Sequence, residues 1–383
     1  MIYVITFIIF IVLLSILIIV HEYGHMYVAQ KRGVIVQSFA IGFGKKIYSF
    51  RKNGIEYRIN ILPFGGYVSL FGENNFSDKT VGSIGAASPL SKFLIVIAGV
   101  FMNFILALIL LFAFLISINF KFYYSNIIPN FNFAFGQSYK QVIFQGIPSD
   151  KTSSVIKDHL NKAYLLDSIN NQKVNSVNQV ESIVHANENK HLKFRFSVVK
   201  NLSLYGISLG KSQSKNFLVR SIYPKNSGPI GIALTSISHL GFSGTLSKIE
   251  SFVTFPYDLL QLTFSGLGYF IHQAVVHNNS KIITTQVAGP VGIYMYTNII
   301  FQNDGIVGIL FIFGIISLSL SIMNLLPIPP LDGFYVLLSI LEGIFKVKIS
   351  EKLLYYFSVI GITFFVILMI LVTLNDLINF HII

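Results

Sequence analysis

The first part of the chain is a long apolar run, and its placement constrains everything that follows. Residues 1–20 contain no charged side chain. Twenty residues in a helix cover about 30 Å, which is the thickness of the hydrocarbon core of a bilayer. A signal peptide has a similar length, but this run lacks a basic start and a small-residue cleavage site. The sequence therefore predicts an uncleaved membrane-spanning helix that continues to about Ala29.

A polar motif, His21-Glu22-Tyr23-Gly24-His25, follows this run directly. Residues i and i+4 share one face of a helix, so His21 and His25 can bind one zinc ion through two imidazoles. Glu22 can take a proton from a water molecule that the metal polarises. Ionisable groups at membrane depth are costly and usually functional. An ordinary interfacial cluster of polar side chains is the alternative that the motif alone leaves open.

The composition places the rest of the chain in a membrane as well. It is 53% hydrophobic and 11% charged, with a mean hydropathy of +0.67, which is too apolar for an ordinary soluble domain. The net charge is +12. Basic loops that contact anionic lipid explain this charge better than nucleic acid does, because no compact basic motif with interleaved aromatic residues is present. The absence of cysteine excludes disulfides and a thiol nucleophile.

The order of apolar and polar segments predicts a polytopic α-helical membrane protein with about four transmembrane helices. After the first span, further spans are predicted over residues 92–119, 305–326 and 353–374. Residues 259–276 also lack charge but are not counted as a full span, and Pro256 is expected to break the region around them. Four parts follow: a membrane half with a β-hairpin (1–118), an inserted extracytoplasmic α/β domain (119–230), an extracytoplasmic or interfacial connection (231–304) and a second membrane half (305–383).

Shorter patterns indicate the local structure of the polar segments. Asn53-Gly54 between two short strand-like runs is the strongest hairpin signal, and the pair Gly65-Gly66 suits tight backbone geometry. In the inserted domain, residues 164–174 predict strand, turn and strand, residues 176–186 a helix, and residues 192–199 a strand. Asn103 in the second span has either a helix-packing role or a role near the active site.

Positive charge orients the spans. Eight Lys and Arg residues lie between the first two spans and three between the last two, so both loops are predicted to be cytoplasmic. The first and third spans then both run inward and end at the same depth, the first with the histidine pair and the third with Asp332. This agreement is an independent argument that Asp332 can be the third metal ligand. An odd number of additional spans within residues 231–304 would remove it.

Two histidines and one carboxylate leave zinc an open position for water. Glu22 can accept the proton of this water and pass it to a leaving amine, so the simplest target is a peptide bond. A helical substrate must unwind before attack, since its backbone is hidden in intrahelical hydrogen bonds. Pro327 and Pro329 interrupt the third span, where Asn324 could hydrogen-bond an exposed substrate strand.

The two paired motifs, His21 to His25 and Asn324 to Gly333, resemble the site-2 protease family of intramembrane zinc metalloproteases. The match extends to Gly42-Phe43-Gly44, Ala98-Gly99 with Asn103, and residues 63–68 and 289–293. The resemblance implies Zn²⁺ as cofactor, His21, His25 and Asp332 as its ligands, and Glu22 as the catalytic base. It also implies a membrane-reentrant hairpin over residues 36–70 and a PDZ-like domain in the middle of the chain. The expected substrate-binding residues are Asn324, Pro327, Pro329, Gly65, Gly66 and Asn103.

This resemblance implies regulated intramembrane proteolysis in a bacterial inner membrane, with both termini and the PDZ-like domain on the periplasmic side. Expected substrates are transmembrane segments of single-span proteins, such as anti-sigma factors, and remnant signal peptides. Membrane lipid is the other expected partner, nucleic acid is not one, and the PDZ-like domain is expected to exclude substrates with bulky ectodomains. The chain departs from the family at Phe334, where a second glycine often stands, and in the middle domain at Ala163-Tyr164 and Asn170-Asn171.

Two functions of other classes compete with this one. A membrane ion or metal transporter could use the His/Asp cluster, but it should show repeat symmetry between two halves, and none is found. A non-catalytic scaffold on the same fold is disfavoured because Glu22 is present.

Overall fold

The described residues of the computed structural model form seven helices and nine strands. These residues are 2–73, 79–125, 128, 131–144, 163–187, 190–199, 214–220, 234–278, 287–346 and 350–380. The helices are α1 (Ile2–Lys31), α2 (Pro89–Ser117), α3 (Val177–Ala186), α4 (Thr245–Val276), α5 (Pro290–Met323), α6 (Asp332–Phe345) and α7 (Glu351–Asn379). The strands are β1 (Val36–Lys52), β2 (Ile55–Leu70), β3 (Lys121–Ser125), β4 (Gln137–Phe144), β5 (Ala163–Ile169), β6 (Gln172–Lys173), β7 (His191–Val199), β8 (Ser214–Arg220) and β9 (Leu234–Gly241).

Five helices, α1, α2, α4, α5 and α7, are long and apolar enough to cross a membrane. The chain is therefore a polytopic helical membrane protein, as the sequence predicts. The four predicted spans overlap α1, α2, α5 and α7, although the second and third predicted spans extend two and three residues past the ends of α2 and α5. The expectation that Pro256 breaks the chain is wrong, because α4 runs through it without ending. A proline removes one backbone donor, and a helix of 32 residues keeps its remaining hydrogen bonds.

The chain forms two compact units. The first contains residues 1–111, 280–299 and 311–383, and the second contains residues 112–279 and 300–310. In the first unit, small residues bring helix backbones together. Gly24 of α1 faces the carbonyl group of Ala98 in α2, and Gly314 of α5 faces Leu111 of α2, so neither position has room for a Cβ. Close backbone approach of this kind is what drives helix association in lipid.

Buried polar side chains connect the same three helices. The Thr6 hydroxyl of α1 donates to the Asn298 side-chain oxygen of α5 over 2.9 Å. The Ser317 hydroxyl of α5 donates to the backbone oxygen of Asn103 in α2 over 2.8 Å. Hydrogen bonds between helices in a membrane satisfy groups that hydrocarbon cannot.

The N-terminus of α5 is capped by a buried carboxylate from α7. Asp376, which is 1% exposed, accepts hydrogen bonds from the backbone N–H groups of Gly289 (3.0 and 3.1 Å) and Gly292 (2.8 Å). A negative charge at this end of a helix satisfies free N–H groups and complements the helix dipole. Pro290 stands at the first position of the helix, where its missing N–H costs nothing. The segment Gly289-Pro290-Val291-Gly292 therefore binds the Asp376 carboxylate through its backbone N–H groups.

The predicted start of the third span at Gly305 coincides with a break inside α5. Gly305 has φ +60° and ψ −142°, which is not helical and favours glycine. Residues 290–304 thus form a separate helical segment before the predicted span, and the sequence analysis did not predict it.

The β1–β2 hairpin turns at Asn53-Gly54, as predicted, with φ of +52° and +81°. Its strands are longer than the sequence patterns indicate. Ser38 pairs with both Ser69 and Glu56, so this part of β1 has neighbours on two sides. Gly42, with φ +81°, packs so tightly on the Leu62 carbonyl that no Cβ would fit, and this approach lets the strands bend back on themselves.

The hairpin is attached to the end of α1 by a buried apolar cluster and carries a charged network on its outside. The cluster contains Met26, Ala29, Val34, Val36, Phe39, Ile55, Val68, Ile84 and Ile95. On the outside, hydrogen bonds from Arg58 and Lys46 lower the pKa of Glu56 from 4.5 to about 2. This stabilising network is fully present above pH 4.5 and is lost as the pH falls through about 2.

The second unit contains a sheet with the strand order β3-β9-β4-β5-β7-β8, in which β6 also pairs with β5. The predicted elements of this region are confirmed: β5 and β6 flank the Asn170-Asn171 turn, α3 begins after its N-cap Ser176, and β7 covers the predicted strand. Val180 and Val184 of α3 are fully buried against the sheet. Residues 145–162, 200–213 and 221–233 of the predicted domain lie outside the described residues, and its PDZ-like character stays a prediction.

Replacing Gly292 by alanine is expected to lower the free energy of unfolding by about 1.5–3 kcal/mol, the range for hydrogen bonds to a charged group. The added Cβ would lie 2.7 Å from Asp376 Oδ1 and would displace the carboxylate. Thermal melting in detergent, followed by circular dichroism, measures the effect. Gly268→Ala is the control, because nothing lies within 4 Å of its added Cβ. Equal melting temperatures for the two variants would contradict the role of Asp376.

Candidate metal centre

The histidine pair of the polar motif lies on one face of α1, as predicted. The two Nε2 atoms of His21 and His25 are 3.2 Å apart, and the ring planes are at 86° to each other. Both side chains are 13% exposed. Two ring nitrogens this close, largely out of solvent, are arranged to share one cation.

Asp332 joins the pair from the first residue of α6. Its Oδ2 atom lies 3.1 Å from Nε2 of His21 and 3.4 Å from Nε2 of His25. The three ligand atoms lie within 4.8 Å of one another and form the one His/Asp/Glu group of this kind among the described residues. The sequence predicts these three residues as ligands of one metal, and the structure brings them together.

The irregular segment after α5 places Asp332. Asn324 is the C-cap of α5, and its carbonyl oxygen accepts a 2.6 Å hydrogen bond from the N–H of Gly333. A Cβ on Gly333 would overlap with the Leu325 carbonyl, and one on Gly361 of α7 would overlap with the Pro329 carbonyl. Two glycines thus let the segment fold tightly and position the carboxylate.

One face of α2 orients both imidazoles. The Ile95 carbonyl oxygen lies 2.8 Å from Nδ1 of His25, so it accepts the proton on that nitrogen and leaves Nε2 free for a metal. Gly99 lies directly against both rings, where a Cβ would collide with His25. Asn103, which is 2% exposed, has its Nδ2 atom 3.4 Å from Nδ1 of His21. Gly99 belongs to the motifs that carry the family resemblance, whereas the Ile95 carbonyl has no signal in the sequence, because every residue offers one.

Asn103 had been predicted to bind substrate, and the structure places it beside a metal ligand. Its Oδ1 atom is buried and has no hydrogen-bond partner among the described residues. When Nε2 of His21 binds a metal, Nδ1 carries the proton. A half-turn of the Asn103 amide would let Oδ1 accept that proton, which fits the chemistry of a metal-bound imidazole.

Glu22 lies between the histidine pair and the hairpin. Its carboxylate accepts a hydrogen bond from the backbone N–H of Val68 in β2. Gly66 is close to the same side chain, because a Cβ added to it would lie 3.7 Å from Glu22 Cγ. The hairpin therefore brings a strand to the predicted base, and the Val68 contact had no signal in the sequence.

The other residues predicted to bind substrate divide between the two sides of the centre. Gly65, with φ +88°, and Gly66 belong to β2 near Glu22. Asn324, Pro327 and Pro329 belong to the segment that leads to Asp332.

The departure from the family pattern at Phe334 has a structural explanation. Phe334 is 8% exposed, and its ring lies 5.7 Å from that of Phe357, so it packs α6 against α7.

The donor set fits a divalent metal. Asp332 Oδ2 makes no hydrogen bond of acceptable geometry among the described residues, although two ring nitrogens face it. An unpaired carboxylate oxygen and two imidazole lone pairs are ligands that zinc prefers. Geometry of this kind, with the histidine pair on a helix long and apolar enough to cross a membrane, is typical of metal-dependent hydrolases of the membrane.

The chain belongs, more particularly, to peptidase family M50, whose model matches residues 9–368. Its relatives include proteins of Campylobacter jejuni, 28% identical over 98% of this chain and 94% of theirs, and of Clostridium perfringens, 27% identical over 95% and 96%. A Helicobacter pylori protein is 27% identical over 97% of this chain and 99% of its own. All three carry provisional names as zinc metalloproteases.

Replacing Gly99 by alanine is expected to remove most of the bound zinc without unfolding the protein. The added methyl group would occupy the space of both imidazole rings. Metal content, measured by mass spectrometry on protein purified with zinc, checks this result, and circular dichroism checks the fold. Gly268→Ala serves again as the control, since it adds the same methyl group in open space. A Gly99→Ala protein with full zinc content would contradict the described packing.

Proposed function

We propose that this protein is a zinc-dependent intramembrane endopeptidase. The observation that carries the proposal is the meeting of His21, His25 and Asp332 at the end of an apolar helix that also presents Glu22. The family and the relatives described above are peptidases, which supports this function over a transporter. Zinc at this site would supply a Lewis acid that activates water and polarises a carbonyl group.

The residues of the chain have separate roles in the proposed reaction. Glu22 accepts a proton from the attacking water and later gives it to the leaving amine. The Val68 N–H holds the Glu22 carboxylate in place by its hydrogen bond. Ile95 and Asn103 keep the imidazoles in the orientation that metal binding requires.

The hairpin offers a place for an unwound substrate. Residues 66–70 of β2 pair with β1 on one side, and the register gives them no other strand among the described residues. The Val68 N–H points from this free edge to Glu22. An extended peptide that adds to the edge would pass beside the base and the metal. On the other side, Asn324 and the segment with Pro327 and Pro329 would contact the same peptide.

The proposed substrates are transmembrane segments of single-span proteins, such as anti-sigma factors after trimming of their outer part, and remnant signal peptides. The centre lies at the end of a spanning helix, which suits cleavage near one membrane boundary. The second unit would act as a PDZ-like filter that excludes substrates with large folded domains. Lipid is the other partner, through the basic loops.

The packing of the first unit supports four crossings. Phe10 of α1 lies beside Phe313 of α5, and both helices lead to the metal centre, so they run in the same direction. α2 runs in the opposite direction, because its beginning lies at His25. The chain therefore leaves α2 and enters the part of α5 after Gly305 on the same side. Between the end of α2 and the part of α5 after Gly305, the chain is then expected to cross the membrane an even number of times, or not at all.

These directions argue against α4 as a single additional crossing, although it is long and apolar enough to be one. The helical segment of α5 before Gly305, residues 290–304, covers only about 22 Å and is too short to return across a bilayer. We therefore place α4 on the outer side, at the membrane interface. With the basic loops inside, both termini and the second unit face the periplasm of a bacterial inner membrane.

Replacing Glu22 by glutamine is expected to slow cleavage of a single-span reporter by at least about 100-fold, since the general base is lost. Zinc content should stay unchanged, because Glu22 is not a ligand. The measurement is cleavage by purified protein in detergent, with a chelator-treated sample that is tested again after zinc is restored. Cleavage that survives in the Glu22→Gln protein would rule out this mechanism.

Single cysteines can test the orientation directly, because the chain has none of its own. Lys173→Cys in β6 and Lys52→Cys at the hairpin turn are both exposed positions. In intact spheroplasts, a membrane-impermeant maleimide is expected to label Cys at 173 and to label Cys at 52 only after lysis. The reverse pattern would invert the proposed topology.

A further inference from the structure

The residues of α2 that contact the metal centre lie on one stripe of the helix. Ile95, Gly99 and Asn103 are four residues apart, so they share a face. The stripe continues three residues earlier to Lys92, in the first turn of α2. Lys92 does not touch the metal centre, and neither the sequence motifs nor the proposed mechanism uses it.

Lys92 makes a partly buried ion pair with Glu342 of α6. Its Nζ atom lies 2.7 and 3.0 Å from the two carboxylate oxygens of Glu342, and the residue is only 8% exposed. Next to this pair, Gly343 packs on Pro89, since its added Cβ would lie 3.4 Å from Pro89 Cβ. The second half of α6 is therefore fixed to the beginning of α2 at a defined position.

The helix that this pair fixes also begins with a metal ligand. Asp332 is the first residue of α6 and Glu342 stands in its last turns. α2 thus holds His25 through Ile95 and, one turn earlier, holds the helix of Asp332 through Lys92. A helix transmits such a constraint along its length because its backbone is rigid.

We propose that Lys92 and Glu342 are positioning residues that set the distance between Asp332 and the histidine pair. An ion pair of this kind adds little net stability. Removing one partner leaves an unpaired charge, and α2 and α6 can then shift along each other. The proposal rests on the proposed metal site. It assigns to a pair that does not contact Asp332 the role of placing the helix that begins with this ligand.

The test uses the full-length protein in detergent, with cobalt(II) in place of zinc as a spectroscopic probe. Lys92→Met and Glu342→Gln are each expected to shift the visible cobalt absorption bands and to weaken zinc binding about tenfold in competition with a chelator. Lys92→Arg, which keeps the charge, should stay close to wild type. The reciprocal double variant, Lys92→Glu with Glu342→Lys, should recover most of the affinity that Lys92→Glu alone loses.

Lys352→Met is the matched control, because Lys352 is an exposed lysine of α7. Unchanged cobalt bands and zinc affinity in both single variants would overturn the positioning role, even if their melting temperatures fall. Absence of recovery in the double variant, with each protein folded, would overturn it too. If the wild-type protein bound neither metal, the proposed function itself would fail, and this outcome is separate from the other two.

Discussion

Two imidazole nitrogens of α1 and one carboxylate oxygen of α6 meet at a single point, and the fold is built around their contact. The three atoms lie within 4.8 Å of one another and are largely out of solvent, an arrangement that suits a shared cation. Bringing them together requires backbones to approach closely, which explains why glycine stands at the critical crossings. Gly99, Gly333 and Gly361 each lie where a methyl group would meet a ring or a carbonyl.

The two sides of the centre differ in the regularity of their backbone. α1 and α2 are continuous helices, and they hold the imidazoles through a backbone carbonyl and a side-chain amide. The other side consists of a strand edge and a segment interrupted by prolines, where not every backbone group is paired within a helix or a sheet. Such groups are tolerated where protein or a cavity covers them. A rigid ligand set beside unpaired backbone suits a reaction whose substrate arrives as a helix and must be held as a strand.

The sequence predicted the parts whose signals are local or chemically specific. Charge-free runs long enough to cross a bilayer, the Asn53-Gly54 turn and the H-E-x-x-H spacing each depend on a few neighbouring residues. Asp332 could be predicted because charge distribution gave its depth independently. The contacts of Ile95, Val68, Lys92 and Asp376 could not be predicted in this way. They depend on which backbone group or distant helix faces a side chain, and no spacing rule encodes that. The tight backbone geometry expected at Gly65 is confirmed by its φ of +88°, but the bend at Gly42 was missed, since a glycine pattern does not say which strand it lets approach.

The carboxylate that caps α5 belongs to a residue made 84 positions after the second N–H group that it binds. During synthesis, α5 therefore enters the membrane with its first amides uncapped. The N-terminus of α5 can reach its final position only when the last turns of α7, which carry Asp376, have been synthesised and inserted. The cap of α5 therefore forms after the segments that carry His21, His25 and Asp332 have all been synthesised.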